Sequence, residues 1–161
     1  MEAIVKVSMG DFKTCEPSQK ITTIGLGSCV GVVLYDTTTK KCGMLHAMLP
    51  DSTRIRNNSN RMKFVDTGLE DLLALMTREG AVKRRMIAKM AGGAKMFDFG
   101  GDSDESRIGF QNVQATKTIL KQYGIPIVAE DTGANYGRTI VFNPATNELE
   151  IKTIGQPIRI I

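Results

Sequence analysis

One cysteine and one histidine stand where they could do chemistry together. Cys29 lies in Thr22-Thr23-Ile24-Gly25-Leu26-Gly27-Ser28-Cys29-Val30-Gly31, and the chain's single histidine follows in Gly43-Met44-Leu45-His46-Ala47-Met48-Leu49-Pro50. A thiol at its ordinary pKa, about 8.5, is only a few per cent thiolate at neutral pH, so a nucleophilic cysteine needs a base or cation within reach. His46 is the one conventional candidate, and the two residues together are the minimum of a cysteine hydrolase. If His46 lowers the thiol pKa, Cys29 is the cysteine that an alkylating reagent takes first.

The elements around the pair decide whether they can meet. Val32-Val33-Leu34-Tyr35 is a β-branched and aromatic run that predicts a buried strand, leaving Cys29 at its edge or in the turn before it. Cys42 to Leu49 predicts a second strand, and the polar stretch Asp36 to Lys41 between them suits a hairpin. Counted outward from the middle of that connection, Cys29 and His46 fall at the same end of an antiparallel pair. Gly25, Gly27 and Gly31 leave the backbone bare where a substrate must come close or the chain must turn. Each residue also has a structural reading: a free cysteine beside glycine and valine is often inert core, and a histidine in an apolar strand is often a hydrogen-bonded core residue. Composition alone leaves that choice open.

A length of 161 residues and 42% apolar residues suit a single domain, 1–161, with one well-buried core. Ala3 to Ser8 and Lys20 to Ile24 alternate like half-buried strands, and Asp51 to Asn60 is a polar loop directly after the histidine strand. From about Arg61 to Glu79 the spacing turns helical, with Val65, Leu69, Leu72, Leu73 and Met76 on one face and Gly80 as the stop. Arg84 to Met90 predicts a strand running into Ala91-Gly92-Gly93-Ala94, which reads as a tight turn or close packing because no phosphate-loop spacing is present. Gly100 to Ser106 is an acidic surface loop, and a second helix spans about Gly109 to Tyr123, with Val113, Thr116, Ile119, Leu120 and Tyr123 on one side and Gly124 ending it. Ile125 to Ala129 is a short buried strand, Arg138 to Asn143 with Glu148 to Ile154 is a hairpin, and Ile158 to Ile161 adds a last edge. The order is that of an α+β layered domain with mixed, mainly antiparallel sheets.

Three cysteines, Cys15, Cys29 and Cys42, are an odd number without a Cys-x-x-Cys pair, so neither a disulfide framework nor a zinc site built on Cys42 and His46 is the leading expectation. No metal or cofactor is expected. The N-terminus lacks the basic start and apolar run of a signal peptide, and no segment approaches the length of a membrane span, which places the protein in the cytoplasm. A net charge of +4 suits an acidic protein partner. It does not point to nucleic acid, since Arg54, Arg56, Arg61, Lys63 and Lys83-Arg84-Arg85 are dispersed and no aromatic residues interleave with them.

Four blocks carry a resemblance. Gly25 to Gly31, His46-Ala47-Met48-Leu49-Pro50-Asp51-Ser52, Ala91 to Phe97, and Glu130-Asp131-Thr132-Gly133 with Gly137-Arg138 resemble, in order, the signature blocks of the CheD family of chemoreceptor glutamine deamidases. The resemblance implies a catalytic group of Cys29, His46 and Thr23, and a layered fold similar to that of the cytotoxic necrotizing factor toxins. It implies a Cys29 thiolate attacking the side-chain amide of a receptor glutamine, with His46 protonating the departing ammonia and then activating water, and Thr23 orienting the imidazole. The donors nearest in sequence for an oxyanion are in the Gly27-Ser28-Cys29 stretch, Ser28 foremost, although a turn role suits Ser28 equally. It further implies two partners, the cytoplasmic part of methyl-accepting chemoreceptors as substrate and a CheC-type phosphatase. Two other readings stay beside it: a non-catalytic adaptor of that phosphatase, and a general peptidase using the same dyad. One departure stands out, because Ala134 follows Asp131-Thr132-Gly133 where the family has a second glycine.

Overall fold

The computed structural model describes residues 3–96 and 107–161, and among these the chain forms ten strands and two α-helices. In chain order these are β1 (Ile4–Val7), β2 (Asp11–Cys15), β3 (Lys20–Leu26), β4 (Val30–Asp36), β5 (Cys42–Ala47), α1 (Val65–Arg78), β6 (Met86–Gly92), α2 (Ile108–Tyr123), β7 (Ile127–Thr132), β8 (Arg138–Asn143), β9 (Glu148–Lys152) and β10 (Arg159–Ile160). One sheet runs β1-β3-β8-β9-β10 and the other β2-β5-β4-β6-β7. Pairing is antiparallel except β1 with β3 and β6 with β7, so the expected mixed, mainly antiparallel α+β layering is what forms.

The second sheet is the middle layer. On one face Val30, Val32, Leu34, Leu45 and Ala47 pack against Leu69, Leu72 and Met76 of α1 and Val113 and Leu120 of α2. On the other, Val33, Tyr35, Met44 and Ala91 pack against Ile21, Leu26, Ile140 and Phe142 of the first sheet. Since successive side chains on a strand point to opposite faces, a strand covered on both sides must be apolar throughout, and every residue of β4 and β5 is buried. Gly31 lets the two sheets close: a Cβ there would stand 2.7 Å from Cδ1 of Ile140. The helices obey their stripes, and Gly124 ends α2 in the left-handed conformation at φ 73°.

Several expectations need correction. β2 had no sequence signal, because Asp11-Phe12-Lys13-Thr14-Cys15 is an edge strand with one neighbour and only Cys15 fully buried. Arg84 and Arg85 lie in a single 3-10 turn, Lys83–Arg85, and the strand begins at Met86 where burial begins. The segment expected as Ile125 to Ala129 runs from Ile127 to Thr132 and is an edge, with Val128 half exposed. Likewise β1 buries only Val7 fully. The first helix starts at Val65, after a 3-10 turn at Arg61–Lys63, and the acidic stretch Gly100 to Ser106 lies outside the described residues.

Candidate active site

The β4–β5 hairpin places the pair. Its register puts Gly31 opposite His46, so Cys29, two residues before Gly31, sits one diagonal step from His46, roughly 7–8 Å for a regular pair. Cys29 belongs to the layer between the sheets, and His46 reaches across that layer to β3 of the facing sheet. There Nδ1 of His46 lies 2.7 Å from Oγ1 of Thr23. All three side chains are buried, with relative exposures of 8% for Cys29, 0% for His46 and 2% for Thr23.

One proton count fixes the tautomer. The Thr23 hydroxyl has a single hydrogen, and it donates that to the carbonyl of Val7 at 2.8 Å. Toward the imidazole it can only accept, so Nδ1 carries the hydrogen and Nε2 carries the lone pair. Among the described residues Nε2 has no hydrogen-bond partner, so the Cys29 thiol does not donate to it at rest. Burial pushes the His46 pKa down to about 4, and burial also pushes the Cys29 thiol up, opposed by its own backbone N–H. The resting state is therefore a neutral thiol beside a neutral imidazole. This reverses the expectation of a thiol pKa lowered by His46, because desolvation penalises both charges before any substrate is present.

The loop before Cys29 is clamped by its carbonyls. Gly27 O accepts from Ala94 N at 2.9 Å, Ser28 O from Nδ2 of Asn112 at 2.9 Å, and Cys29 O from Gly93 N at 2.9 Å. In a planar trans peptide the N–H points away from the C=O of the same unit, so the amides of Ser28 and Cys29 face away from these anchors. The glycine block supplies the closeness: Gly92, at φ 108°, would bring a Cβ within 2.3 Å of Cys29 O. Gly92 O accepts from Gly133 N at 3.0 Å, and Gly133 O accepts from buried Arg138, which also holds Asp131 through Nε and Nη2. The Glu130-to-Arg138 block is thus the brace behind the cysteine loop.

Two contributors escaped the sequence reading. Asn112 of α2 is fully buried and its Nδ2 bonds both Ser28 O and, at 3.1 Å, Met48 O, joining the cysteine loop to the end of the histidine strand. Its signal was a polar residue beside Val113 and one turn before Thr116 on the buried side of an amphipathic helix. Val7 acts through a backbone carbonyl, which no residue type announces. A groove lined by Gly93, Lys95, Arg107, Phe110, Thr132 and Gly133 opens beside the loop. Cys42 and His46, four residues apart on one strand, are roughly 13 Å apart and turned to different partners, so they share no ion. Among the described residues no cluster of three metal-ligating side chains occurs, and no helix is long and apolar enough to cross a membrane.

The chain was compared with known proteins. The family model described as CheD chemotactic sensory transduction matches residues 48–153, a span that begins just past His46. Relatives extend the match over the site. Proteins named probable chemoreceptor glutamine deamidase CheD from Lachnoclostridium phytofermentans and from Caldanaerobacter subterraneus subsp. tengcongensis are each 53% identical, covering 98% of this chain and 98% of theirs. The chemoreceptor glutamine deamidase CheD of Halalkalibacterium halodurans is 50% identical over 97% of both chains. In fold, the chain is similar to Neisseria meningitidis protein NMB0706, of family DUF152, with a TM-score of 0.52, 11% identity, and coverage of 83% of this chain and 64% of that one. Identity of this order along nearly the whole length places the chain in the CheD family.

Proposed function

We propose that the protein deamidates glutamine side chains of chemoreceptors, with Cys29 as nucleophile, His46 as general base and acid, and Thr23 as the group that orients the imidazole. The observation that carries this reading is the Val7–Thr23–His46 chain, which leaves Nε2 as a buried lone pair with no partner among the described residues. A general base is needed in that state. The names of the relatives supply the substrate class.

In this mechanism Sγ of Cys29 attacks the carboxamide carbon as its proton passes to Nε2, so the two charges arise together at the moment of attack. The oxyanion is received by the outward amides of Ser28 and Cys29, while the bare backbone of Gly27 makes room for the Met96 side chain, whose Cγ would stand 3.0 Å from a Cβ there. The imidazolium then protonates the departing nitrogen, ammonia leaves, and a thioester remains. Water, deprotonated by the same Nε2, hydrolyses it to glutamate and frees the thiol. The groove beside the loop, with Lys95 and Arg107, suits an acidic receptor segment. We infer further that residues 1–161 act as one domain of the cytotoxic necrotizing factor type, in the cytoplasm where the receptor's signalling part lies, and that a CheC-type phosphatase is a second partner. That partner rests on the family resemblance.

The test is the product. Receptor cytoplasmic domain incubated with the protein should release ammonia, and its peptides should show glutamine converted to glutamate at a few positions by mass spectrometry. Cleaved main chain would identify a peptidase instead, and unaltered receptor with retained phosphatase binding would leave an adaptor.

A further inference from the structure

Cys15 and Cys42 take no part in the chemistry above, and they face each other. Cys15 ends β2, Cys42 begins β5, and the two are direct partners in the antiparallel ladder. Their sulfurs lie 2.7 Å apart, and Cys15 Sγ also approaches the carbonyl of Gln19 at 3.8 Å. Directly opposed residues of an antiparallel pair have Cα atoms about 4.5 or 5.5 Å apart. Both values fall inside the roughly 4.4–6.8 Å that a disulfide spans, so a bond between them needs no movement of the sheet.

Position gives the two thiols different roles. β2 is the edge of its sheet, hydrogen-bonded to β5 alone, and Cys15 is its last residue, followed by the exposed Glu16. Fraying of that one end uncovers Cys15 while Cys42, at 1% exposure, stays behind it. The site also differs from Cys29, which has no cysteine opposite it.

We propose that Cys15 and Cys42 form an oxidisable dithiol, a modification site separate from the Cys29 centre, closed to a cross-strand disulfide by hydroperoxides. The thiolate of Cys15 attacks one oxygen of hydrogen peroxide, the O–O bond breaks, and a sulfenic acid and hydroxide form. Cys42 then attacks the sulfenic sulfur, the S–O bond breaks, and water leaves with the thiol proton. The peroxide is reduced by two electrons and the two thiols are oxidised by two. Reversal takes a dithiol reductant by exchange through a mixed disulfide. The bond fastens β2 to β5, whose other end carries His46 opposite Asp11.

The experiment uses the full chain with Cys29→Ala, so that only the pair can react. After hydrogen peroxide the protein is denatured, alkylated, and digested without reduction. The expected result is one peptide pair joining Cys15 and Cys42 within a single chain, released by dithiothreitol and absent from the same chain carrying Cys42→Ser. The Tm of the oxidised protein should rise by about 5 °C or more, falling back on reduction. Recovery of both cysteines alkylated, their conversion to sulfinic or sulfonic acid without a cross-link, or cross-links only between chains would each overturn the proposal. None of these outcomes bears on deamidation, which Cys29 carries.

Discussion

The two ends of the β4–β5 hairpin bury polar groups in opposite ways. At the turn, Asp36 is fully buried, and its carboxylate accepts from the backbone of Thr38, Thr39 and Val82 and from the Arg85 guanidinium. Burial alone would raise its pKa, but these donors outweigh burial and hold the carboxyl well below the usual carboxylate range. At the open end, His46 is just as buried, yet among the described residues Nε2 has no partner, and neither has Oδ1 of Asn112. Both ends hold strongly shifted groups, so the shift alone does not mark a functional site. Unmet hydrogen-bonding capacity alone does not mark it either, because Oδ1 of Asn147 in the β8–β9 turn is also buried and unpartnered; among these atoms Nε2 of His46 is the one whose lone pair can take up a proton.

The comparison breaks first at Cys29. Cys29→Ala should lower receptor deamidation by more than about 1000-fold, as loss of a nucleophile does, while Cys15→Ala and Cys42→Ala keep most of it. Ammonia release rates decide, and equal loss in all three folded variants would sink the site. At the other end, Asp36→Ala should cost stability rather than chemistry, about 3 kcal/mol by urea unfolding, because three backbone N–H groups and Arg85 lose their acceptor together. The activity of the remaining folded protein should be unchanged.

His46→Ala should reduce the rate by roughly 100-fold, the lower range for a positioned acid and base. Its titration adds a pH signature. The unfolded histidine takes a proton near pH 6.5 and the folded one only near 4. Stability therefore falls as pH drops from about 6.5 toward 4, since the unfolded chain binds more protons across that window, and levels off below it. Urea midpoints against pH should show this slope in the wild type and a shallower one in His46→Gln. In the same way the acid limb of kcat/KM should sit nearer 4 than 6.5.

The smallest effect belongs to Ala134. It holds φ at 59°, a conformation that favours glycine, and its carbonyl receives Lys95 N at 2.9 Å. Ala134→Gly should relieve the strain at some entropic cost in the unfolded chain, leaving the protein about 0.5 kcal/mol more stable with unaltered activity. A loss of stability would show that the turn is strained by something other than its Cβ.

What could be read from the sequence followed local pattern. The β4–β5 hairpin, the helical stripes and the late β8–β9 hairpin each repeat a period that burial imposes, so Cys29, His46 and their common end were legible. β2 was not, because an edge strand with one neighbour needs no alternation. Thr23 was legible only as one of several threonines until the family blocks singled it out, since its partner lies in a different sheet. Asn112 and the Val7 carbonyl were hidden for the same reason: what they do depends on packing between layers distant in sequence. The direction in which the Cys29 thiol is shifted was not legible, because the spacing of a cysteine and a histidine carries no information on the burial that raises it.

The Thr23 hydroxyl decides which nitrogen of His46 carries the hydrogen, and β1 decides which way that hydroxyl points. As long as Val7 O takes the hydroxyl hydrogen, Nδ1 must donate and Nε2 must receive. Were β1 peeled from β3, the hydroxyl could donate to Nδ1 instead, and the ring hydrogen would move to Nε2, turning the proposed base into a donor. In the proposed mechanism a four-residue strand held by one neighbour therefore sets which ring nitrogen is free to act as base. A fusion or tag that strains the first seven residues could silence the protein while leaving its core folded.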